Sequence, residues 1–468
     1  MPDSTAGRRV AAMLLPATRQ PRRWLRIVGV SARRWRQRLI FLLGGCVVGL
    51  AGVVMAVGAA QAHALFDRML DAWPLAPLVV TPLGFALLVW LTRRFFPNCE
   101  GSGIPQAIAA RKLWGVEERG KLVSLRLGIG KVVLTLLGLL FGASIGREGP
   151  TVQVGASVMF ALGRLSPARQ PGLILAGSAA GIAAAFNTPL AGVIFGIEEM
   201  SRSFDERNSG LVIGTIVAAG IVSVALLGNY TYFGVTHSDL GGTLGWLAVP
   251  ICGVLGGVLG GLFSRVLVLV AGGLPGRLGR AIRRHRVLFG LGCGLLVALC
   301  GLASHNTIFG TGYPQVKALI DHGVPLPLSF GVLKFAATTL SSIAGIPGGL
   351  FSPSLAVGAG IGYDVAEWLG PWLPGVPVEA IVLLGMVSYF SGVVQSPITA
   401  FAIVAEMTAD HAMIVPLMAS SLIATATSRL ICPEGVYHIL SRNYLKLYAP
   451  EHLTPAPGAA VAVTPTRE

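Results

Sequence analysis

Long uncharged apolar runs constrain this chain more than any other feature of its sequence. Four of them reach or exceed the roughly 20 residues that cross a bilayer core as a helix: residues 39–60, 72–92, 170–197 and 380–405. Hydrophobic residues make up 53% of the chain and charged residues only 12%. The sequence therefore predicts an all-α integral membrane protein that crosses the bilayer several times.

The basic residues are grouped beside these runs. The formal net charge is +15, and ten arginines precede the first run: Arg8, Arg9, Arg19, Arg22, Arg23, Arg26, Arg33, Arg34, Arg36 and Arg38. A second group lies in a short interhelical loop and comprises Arg277, Arg280, Arg283, Arg284 and Arg286. Because arginine-rich segments beside membrane spans stay in the cytoplasm, we expect residues 1–38 to form a basic cytoplasmic segment. A nucleic-acid partner is not expected.

The second half of the chain repeats motifs of the first half. The pattern Lys131-x18-Pro150-x4-Gly155 recurs as Lys334-x18-Pro353-x4-Gly358, at an offset of 203 residues (334 − 131). Residues 101–106 are answered by 310–315, and Gly177, Pro189 and Glu198 by Gly385, Pro397 and Glu406. Blocks that recur in the same order indicate two homologous halves, at about residues 41–235 and 246–445. Transporters often contain such repeats, and their binding sites lie where Gly/Pro motifs interrupt the apolar segments.

Three Gly/Pro motifs interrupt the apolar sequence: Ser102-Gly103-Ile104-Pro105, Gly149-Pro150 and Phe351-Ser352-Pro353. Proline near the first helical position, preceded by small residues, indicates a helix N-terminus. The uncharged stretch between Lys131 and Arg147 has only 15 residues, so we expect helices that break inside the membrane. A broken helix exposes N–H groups and partial positive charge, which a membrane tolerates where they line a cavity or meet an anion. The three motifs together therefore predict an anion site made of neutral donors.

One carboxylate, Glu148, lies inside the apolar sequence, in the motif Gly146-Arg147-Glu148-Gly149-Pro150. An ionisable residue at membrane depth is costly, so its presence indicates a functional site. An ion pair with the adjacent Arg147 at a membrane edge is the alternative interpretation.

These motifs resemble those of the CLC family of chloride channels and chloride/proton antiporters. GSGIP at 101–105, GREGP at 146–150 and GIPGGLFSP at 345–353 stand in the family's order and approximate spacing, and the apolar core is similar over about residues 40–445. The resemblance implies a membrane transport domain at residues 39–448, with two inverted-topology halves of broken and tilted helices. It also implies a homodimer with one ion pathway in each subunit.

The resemblance also implies roles for individual residues. The anion-binding group comprises Ser102, Gly103, Ile104, Leu350, Phe351 and Tyr437. Ser102 and Tyr437 would use their hydroxyl groups, because a neutral donor holds the ion and still releases it. Ser102 is also a candidate helix N-cap, and both roles can hold; Tyr444 and Tyr448 are alternatives to Tyr437. Glu148 would be a gate that competes with chloride when ionised and carries a proton when protonated.

Two adjacent carboxylates, Glu198 and Glu199, follow the apolar run 170–197 and point about 100° apart on a helix. Glu198 is echoed by Glu406 and is interpreted as structural, whereas Glu199 is answered by Met407. In antiporters of the family, the second glutamate of this segment is the inner proton site. Channels of the family generally have an uncharged residue there, so Glu199 favours proton coupling.

The sequence therefore predicts a secondary active chloride/proton antiporter and not an enzyme. A passive, voltage- or pH-gated chloride channel of the same fold is the alternative. The transported ions are a proton and chloride or a similar monovalent anion; no cofactor is expected, and no metal site, since the six cysteines form no CxxC pair. We expect a multi-pass protein of a prokaryotic cytoplasmic membrane, with both termini in the cytoplasm. Residues 449–468 should form a short disordered tail without a folded CBS-type regulatory domain.

Overall fold

The structure is a computed structural model that describes residues 20–201, 209–228, 231–234, 236, 238–372 and 375–449. These residues are predominantly helical, and the extended pairings among them are two isolated bridges, Gly101 to Pro347 and Gly146 to Gly349. The predicted all-α class is therefore confirmed for this part of the chain. Residues 1–19 of the predicted basic segment and residues 450–468 of the predicted tail lie outside the described residues.

The first group of helices runs to residue 227. In chain order they are α1 (Gln20–Ala72), α2 (Pro77–Phe95), α3 (Ile104–Lys112), α4 (Val116–Gly120), α5 (Leu125–Leu140), α6 (Glu148–Leu162), α7 (Gln170–Phe186), α8 (Pro189–Phe195) and α9 (Ser209–Leu227). A π-helix at Gly196–Ser201 follows α8. Because α1 begins at Gln20, the second half of the predicted basic segment is continuous with the first long helix.

The second group begins at residue 248. Its members are α10 (Ala248–Gly272), α11 (Gly276–Arg284), α12 (Arg286–Ala303), α13 (Tyr313–His322), α14 (Phe330–Ile343), α15 (Phe351–Leu369), α16 (Val378–Val394), α17 (Pro397–Thr408), α18 (Ile414–Ile431) and α19 (Val436–Tyr448). Helix packing recurs between the two groups. Helix α1 packs on α9 as α10 packs on α18, and α6 packs on α7 as α15 packs on α16.

Glycines permit the closest of these helix contacts. A Cβ atom on Gly155 of α6 would lie 2.2 Å from the carbonyl oxygen of Gly177 on α7. At the repeat-matched position, a Cβ on Gly358 of α15 would lie 2.5 Å from the carbonyl oxygen of Gly385 on α16. Only glycine lets helix backbones approach this closely.

Seven segments of the described chain are long and apolar enough to cross a membrane. They are Trp35–Ala72, Pro77–Phe95, Val116–Leu140, Gly210–Leu227, Thr243–Gly272, Arg286–Ala303 and Ile414–Ile431. Helices α14, α16 and α17 are apolar but shorter. The chain is therefore a multi-pass integral membrane protein that also contains helices too short to span.

Two of the predicted spans are not continuous helices. The run 170–197 is divided between α7 and α8 at Asn187, whose φ is 58°. The run 380–405 is divided between α16 and α17 at Gln395, whose φ is 59°. A left-handed residue ends a helix, and the prolines that start α8 and α17 prevent its continuation. Hydropathy averaged over a span does not register this break, because the sequence stays uncharged and only two polar residues interrupt the apolar run at each break.

Two glutamates cap the helices that start after these breaks, and each glutamate comes from the opposite half of the chain. Glu198, in the first half, accepts hydrogen bonds from the backbone N–H groups of Ile398 at 3.1 Å and Thr399 at 2.6 Å, at the start of α17. Glu406, in the second half, accepts from those of Leu190 at 3.1 Å and Ala191 at 2.8 Å, at the start of α8. A reciprocal contact of this kind is the signature of two-fold symmetry. The structural role predicted for Glu198 is therefore confirmed.

Buried lysines hold the two loops that precede α3 and α13. Lys131 Nζ donates to the carbonyl oxygens of Cys99 at 2.6 Å and Gly101 at 2.7 Å. Lys334 Nζ donates to those of Ile308 and Gly310, both at 2.8 Å. Both lysine side chains are fully buried. Each lysine thus satisfies two buried carbonyl groups that the loop geometry leaves without helical partners.

Substitution of Lys334 with methionine is expected to destabilise the protein. It leaves the carbonyls of Ile308 and Gly310 buried without a donor, at a cost of about 2 to 4 kcal/mol in the free energy of unfolding. The unfolding temperature of the purified protein in detergent measures this loss. Lys317→Met is the control, because Lys317 is 41% exposed and makes only weak contacts, with Asp321 at 4.0 Å and with the Tyr313 ring centroid at 5.8 Å. Equal unfolding temperatures for the two variants would contradict the role given to Lys334.

Candidate functional site

Backbone hydrogen bonds join the three Gly/Pro motifs. Gly146 N donates to Gly349 O at 2.8 Å, and Gly349 N donates to Gly146 O at 2.7 Å. Gly101 N donates to Ile346 O and Gly348 N donates to Gly101 O, both at 3.1 Å. The fold thus brings together three segments that are far apart in sequence.

Each motif leads into a helix, as the sequence predicts. Helix α3 begins at Ile104, α6 at Glu148 and α15 at Phe351. The N-cap of α3 is Gly103, whose φ of 97° lies in the left-handed region that glycine tolerates. Because Gly103 holds this position, Ser102 does not act as the N-cap. The N-termini of three helices, each with unpaired N–H groups and partial positive charge, therefore lie in one region.

The hydroxyl groups of Ser102 and Tyr437 converge on this region. Both are buried and interact with each other, and neither makes a hydrogen bond of normal geometry to another of the described residues. The Tyr437 hydroxyl contacts the side chain of Ser102 and lies within electrostatic range of Glu199 and Glu148. Buried hydroxyls are nearly always hydrogen-bonded, and two hydroxyls that meet can use only one of their two protons on each other. The remaining proton indicates a place for an acceptor such as an anion.

The two alternative tyrosines are engaged elsewhere. The Tyr444 hydroxyl accepts a hydrogen bond from Gln106 Nε2 at 3.0 Å. The Tyr448 hydroxyl accepts one from Asn98 Nδ2 at 2.8 Å. The geometry therefore favours Tyr437 as the tyrosine that faces the three helix N-termini.

The Phe351 side chain lies in an aromatic cluster and not among the polar donors. Its ring centroid lies 4.7 Å from that of Phe390, 6.0 Å from those of Phe195 and Tyr437, and 6.1 Å from that of Phe186. Leu350 is the N-cap of α15. These two residues can therefore present backbone N–H groups to a ligand, while the aromatic rings form an apolar wall beside it.

Glu148 is fully buried at the start of α6. Its Oε1 accepts a hydrogen bond from Ser352 Oγ at 2.6 Å, and its Oε2 accepts from Ser352 N at 3.4 Å. The Arg147 Nε atom lies 3.9 Å from Oε1, beyond hydrogen-bond distance. The carboxylate is therefore held mainly by Ser352 at the start of α15, and the ion pair with Arg147 is a secondary contact.

Glu199 lies in the π-helix after α8 and is 1% exposed. Its Oε2 accepts a hydrogen bond from Ser396 Oγ at 2.5 Å. Its Oε1 lies 3.3 Å from Nε2 of His438, the residue next to Tyr437. The two adjacent glutamates thus have different surroundings, since Glu198 caps a helix and Glu199 faces a buried histidine. A carboxylate beside an imidazole can take up and release a proton.

Three polar neighbours of the carboxylates were not predicted from the sequence. They are Ser352 beside Glu148, and Ser396 and His438 beside Glu199. Both serines directly precede a proline at the start of a helix, and His438 follows Tyr437 in sequence. These are the only local signals for them, because their partners lie 197 to 239 residues away (396 − 199 and 438 − 199).

The comparisons with known proteins agree with this geometry. Residues 83–429 match the family model described as "Voltage gated chloride channel". The H(+)/Cl(-) exchange transporter ClcA of Yersinia pseudotuberculosis serotype IB is 31% identical over 429 residues, which cover 86% of each chain.

Solved structures show the same fold. A slow cyanobacterial Cl-/H+ antiporter matches with a TM-score of 0.74 and 25% identity, over 88% of this chain and 98% of that one. A CLC-type fluoride/proton antiporter matches with a TM-score of 0.72 and 22% identity, over 86% and 97% of the two chains. The predicted CLC fold is confirmed, and the chain belongs to the voltage gated chloride channel family.

Proposed function

We propose that the protein is a secondary active chloride/proton antiporter. The observation that carries the proposal is the pair of buried hydroxyls of Ser102 and Tyr437, which interact with each other and leave one proton without a protein acceptor. Tyr437 also lies within electrostatic range of two buried carboxylates, Glu199 and Glu148. Hydroxyls supply neutral donors for an anion, and carboxylates at membrane depth supply proton carriers. Coupled exchange of chloride and protons requires both the anion donors and the proton carriers.

Chloride would bind at the converging helix N-termini. Ser102 and Tyr437 would donate from their hydroxyls, and backbone N–H groups would donate at Gly103–Ile104 and Leu350–Phe351. Partial positive charge at the helix starts attracts the anion, while the absence of a full positive charge among these donors lets it leave. The aromatic cluster around Phe351 would exclude water beside the ion.

Protons would use Glu148 and Glu199. An ionised Glu148 carries the same charge as chloride and can occupy an anion's place in the pathway. Protonation removes the competition between them, so one carboxylate links the two ion fluxes. Protons would then reach the cytoplasmic side through Glu199, apart from the chloride route past Ser102 and Tyr437.

The relatives support an antiporter over a channel. The Yersinia protein is named an H(+)/Cl(-) exchange transporter, and the cyanobacterial structure is that of a Cl-/H+ antiporter. The carboxylate at Glu199 supports the same choice. Neither ion requires a cofactor, and no reaction is catalysed in this scheme.

Purified protein in liposomes provides the test. An outward chloride gradient should drive protons into the vesicles against their own gradient, and the reversal potential should shift with a pH gradient. A reversal potential fixed by chloride alone would establish a passive channel. Chloride transport with no proton movement under any gradient would overturn the antiporter proposal.

His438 is expected to assist proton transfer at Glu199. Replacing it with alanine removes the group 3.3 Å from Glu199 Oε1, so we expect proton flux to fall by about tenfold relative to chloride flux. His438→Gln retains a hydrogen-bond donor and should restore part of the coupling. The chloride-to-proton ratio in liposomes measures both effects. An unchanged ratio in His438→Ala would contradict this role.

The orientation, membrane and assembly are further parts of the proposal. The N-terminal arginines precede the apolar run 39–60 of α1, whereas the arginines of α11 follow α10, the counterpart of α1 in the second half. If both groups lie in the cytoplasm, α1 and α10 run in opposite directions, as inverted halves require. We place both termini in the cytoplasm and the protein in a prokaryotic cytoplasmic membrane, as a homodimer in contact with lipid. Family membership supports the dimer, and subunit cross-linking in membranes tests it.

A further inference from the structure

Tyr232 contributes a hydroxyl to the surroundings of Glu148 from a segment outside the three motifs. It lies in residues 231–234, between α9 and α10, and is 2% exposed. Its ring centroid lies 4.4 Å from that of Tyr313 and 5.6 Å from that of Phe186. The Arg147 guanidinium lies 5.8 Å from the same ring. Packing on several sides therefore fixes the position of the Tyr232 hydroxyl.

This hydroxyl extends the hydrogen bonding of Glu148 by one step. Tyr232 Oη lies 3.4 Å from Ser352 Oγ, which donates to Glu148 Oε1 at 2.6 Å. An ionised carboxylate only accepts hydrogen bonds, and a serine hydroxyl has one proton to donate. Ser352 must therefore give its proton to Glu148, and Tyr232 must be the donor to Ser352. The hydrogen bonds therefore run from Tyr232 to Ser352 and from Ser352 to Glu148, and the charge on Glu148 sets this direction.

We propose that Ser352 and Tyr232 form a two-hydroxyl latch that holds the ionised Glu148 carboxylate in the ion pathway and sets the pH at which it is released. The proposal rests on the proposed antiport function. Hydrogen bonds to a charged acceptor are about twice as strong as neutral ones, and a second donor polarises the first. The latch therefore favours the ionised carboxylate over the protonated one. Both are positioning residues, since they act through Glu148.

Other charged and titratable groups also face Glu148. Arg147 approaches it at the same helix start, and Tyr232 and Tyr437 lie within electrostatic range from two other segments. Substitution of Ser352 removes none of these groups and takes from Tyr232 only the hydroxyl that it contacts. A change in pH dependence in a Ser352 variant is therefore attributable to the lost hydroxyl.

The test measures the pH at which the chloride/proton exchange rate in liposomes is half-maximal. Removing a donor from the ionised form makes the carboxylate easier to protonate, so Ser352→Ala should raise this pH by about one unit. Tyr232→Phe should raise it by a smaller amount, and should add nothing in the Ser352→Ala background. Ser354→Ala, two positions along the same helix and also buried, is the matched control and should leave the midpoint unchanged.

A double variant shows whether the latch acts through Glu148. In a Glu148→Ala background, Ser352→Ala should leave the pH dependence of the remaining chloride flux unchanged. A midpoint that stays in place or falls in Ser352→Ala, or a shift that persists without Glu148, would overturn the latch while antiport by the parent protein stands. If Ser352→Ala does not fold, an unmoved midpoint in Tyr232→Phe overturns it. Failure of the parent protein to move protons overturns the latch together with the proposed function.

Discussion

Replacing Glu148 with alanine is expected to abolish proton transport and to leave chloride flux. The carboxylate is fully buried at the start of α6, one of the three helix N-termini that meet here, and in the proposed scheme it both blocks the pathway and binds a proton. Without it, nothing at this position competes with chloride, so the anion passes without a coupled proton. Parallel recordings of chloride efflux and pH change in liposomes check both parts.

Glu117→Ala is the control for this experiment. Glu117 is 85% exposed on α4 and only approaches Lys121 at 3.8 Å, so its loss should change neither flux. Proton uptake that persists in Glu148→Ala at the parental chloride-to-proton ratio would show that the outer proton site lies elsewhere. Loss of both fluxes would show that Glu148 is needed for chloride binding as well, contrary to the scheme.

The Glu199→Gln variant is also expected to lose proton coupling, because it removes the titratable group of the proposed inner proton site. Glutamine has nearly the same shape and can still accept the hydrogen bond from Ser396 Oγ, but it does not titrate. Chloride flux should therefore continue while chloride gradients no longer drive protons. Vesicles containing Glu199→Gln that still pump protons uphill would refute the assignment of the inner site.

The neighbouring residue supplies a close control. Glu198 accepts three hydrogen bonds, from the N–H groups of Ile398 and Thr399 and from Thr399 Oγ1. Glu198→Gln weakens this cap, so it should lower the unfolding temperature in detergent and leave the chloride-to-proton ratio unchanged. Lost coupling in Glu199→Gln, together with lowered stability and unchanged coupling in Glu198→Gln, would assign transport to Glu199 and structure to Glu198.

The parts of this fold that the sequence predicts are those with a local chemical signature. Each Gly/Pro motif marks a helix start because proline and glycine restrict the backbone within a few residues. The sequence also predicts that Glu198 and Glu406 are structural residues, because the repeat places them at equivalent positions. Their shared function, a reciprocal helix cap, follows only when the two halves are seen in contact.

Other features depend on contacts between distant segments and leave weak traces in the sequence. The helix breaks at Asn187 and Gln395 lie in long uncharged and mostly apolar sequence, so average hydropathy does not separate the two helices on either side. Ser352 becomes relevant only through Glu148, which is 204 residues away, and His438 only through Glu199, which is 239 residues away (438 − 199). Ser102 has the residue type of an N-cap, yet the left-handed Gly103 takes that position.

The reciprocal caps also impose an order on the biogenesis of the protein. Glu198 leaves the ribosome 200 residues ahead of Ile398, its partner at the start of α17. Until that partner is inserted, the Glu198 carboxylate and the free N–H groups of α8 both lack the contacts that the finished fold provides, and neither is tolerated in lipid. The first half therefore cannot complete its own broken helix. Final docking waits for the second half, and a chain truncated between them would be a substrate for quality control.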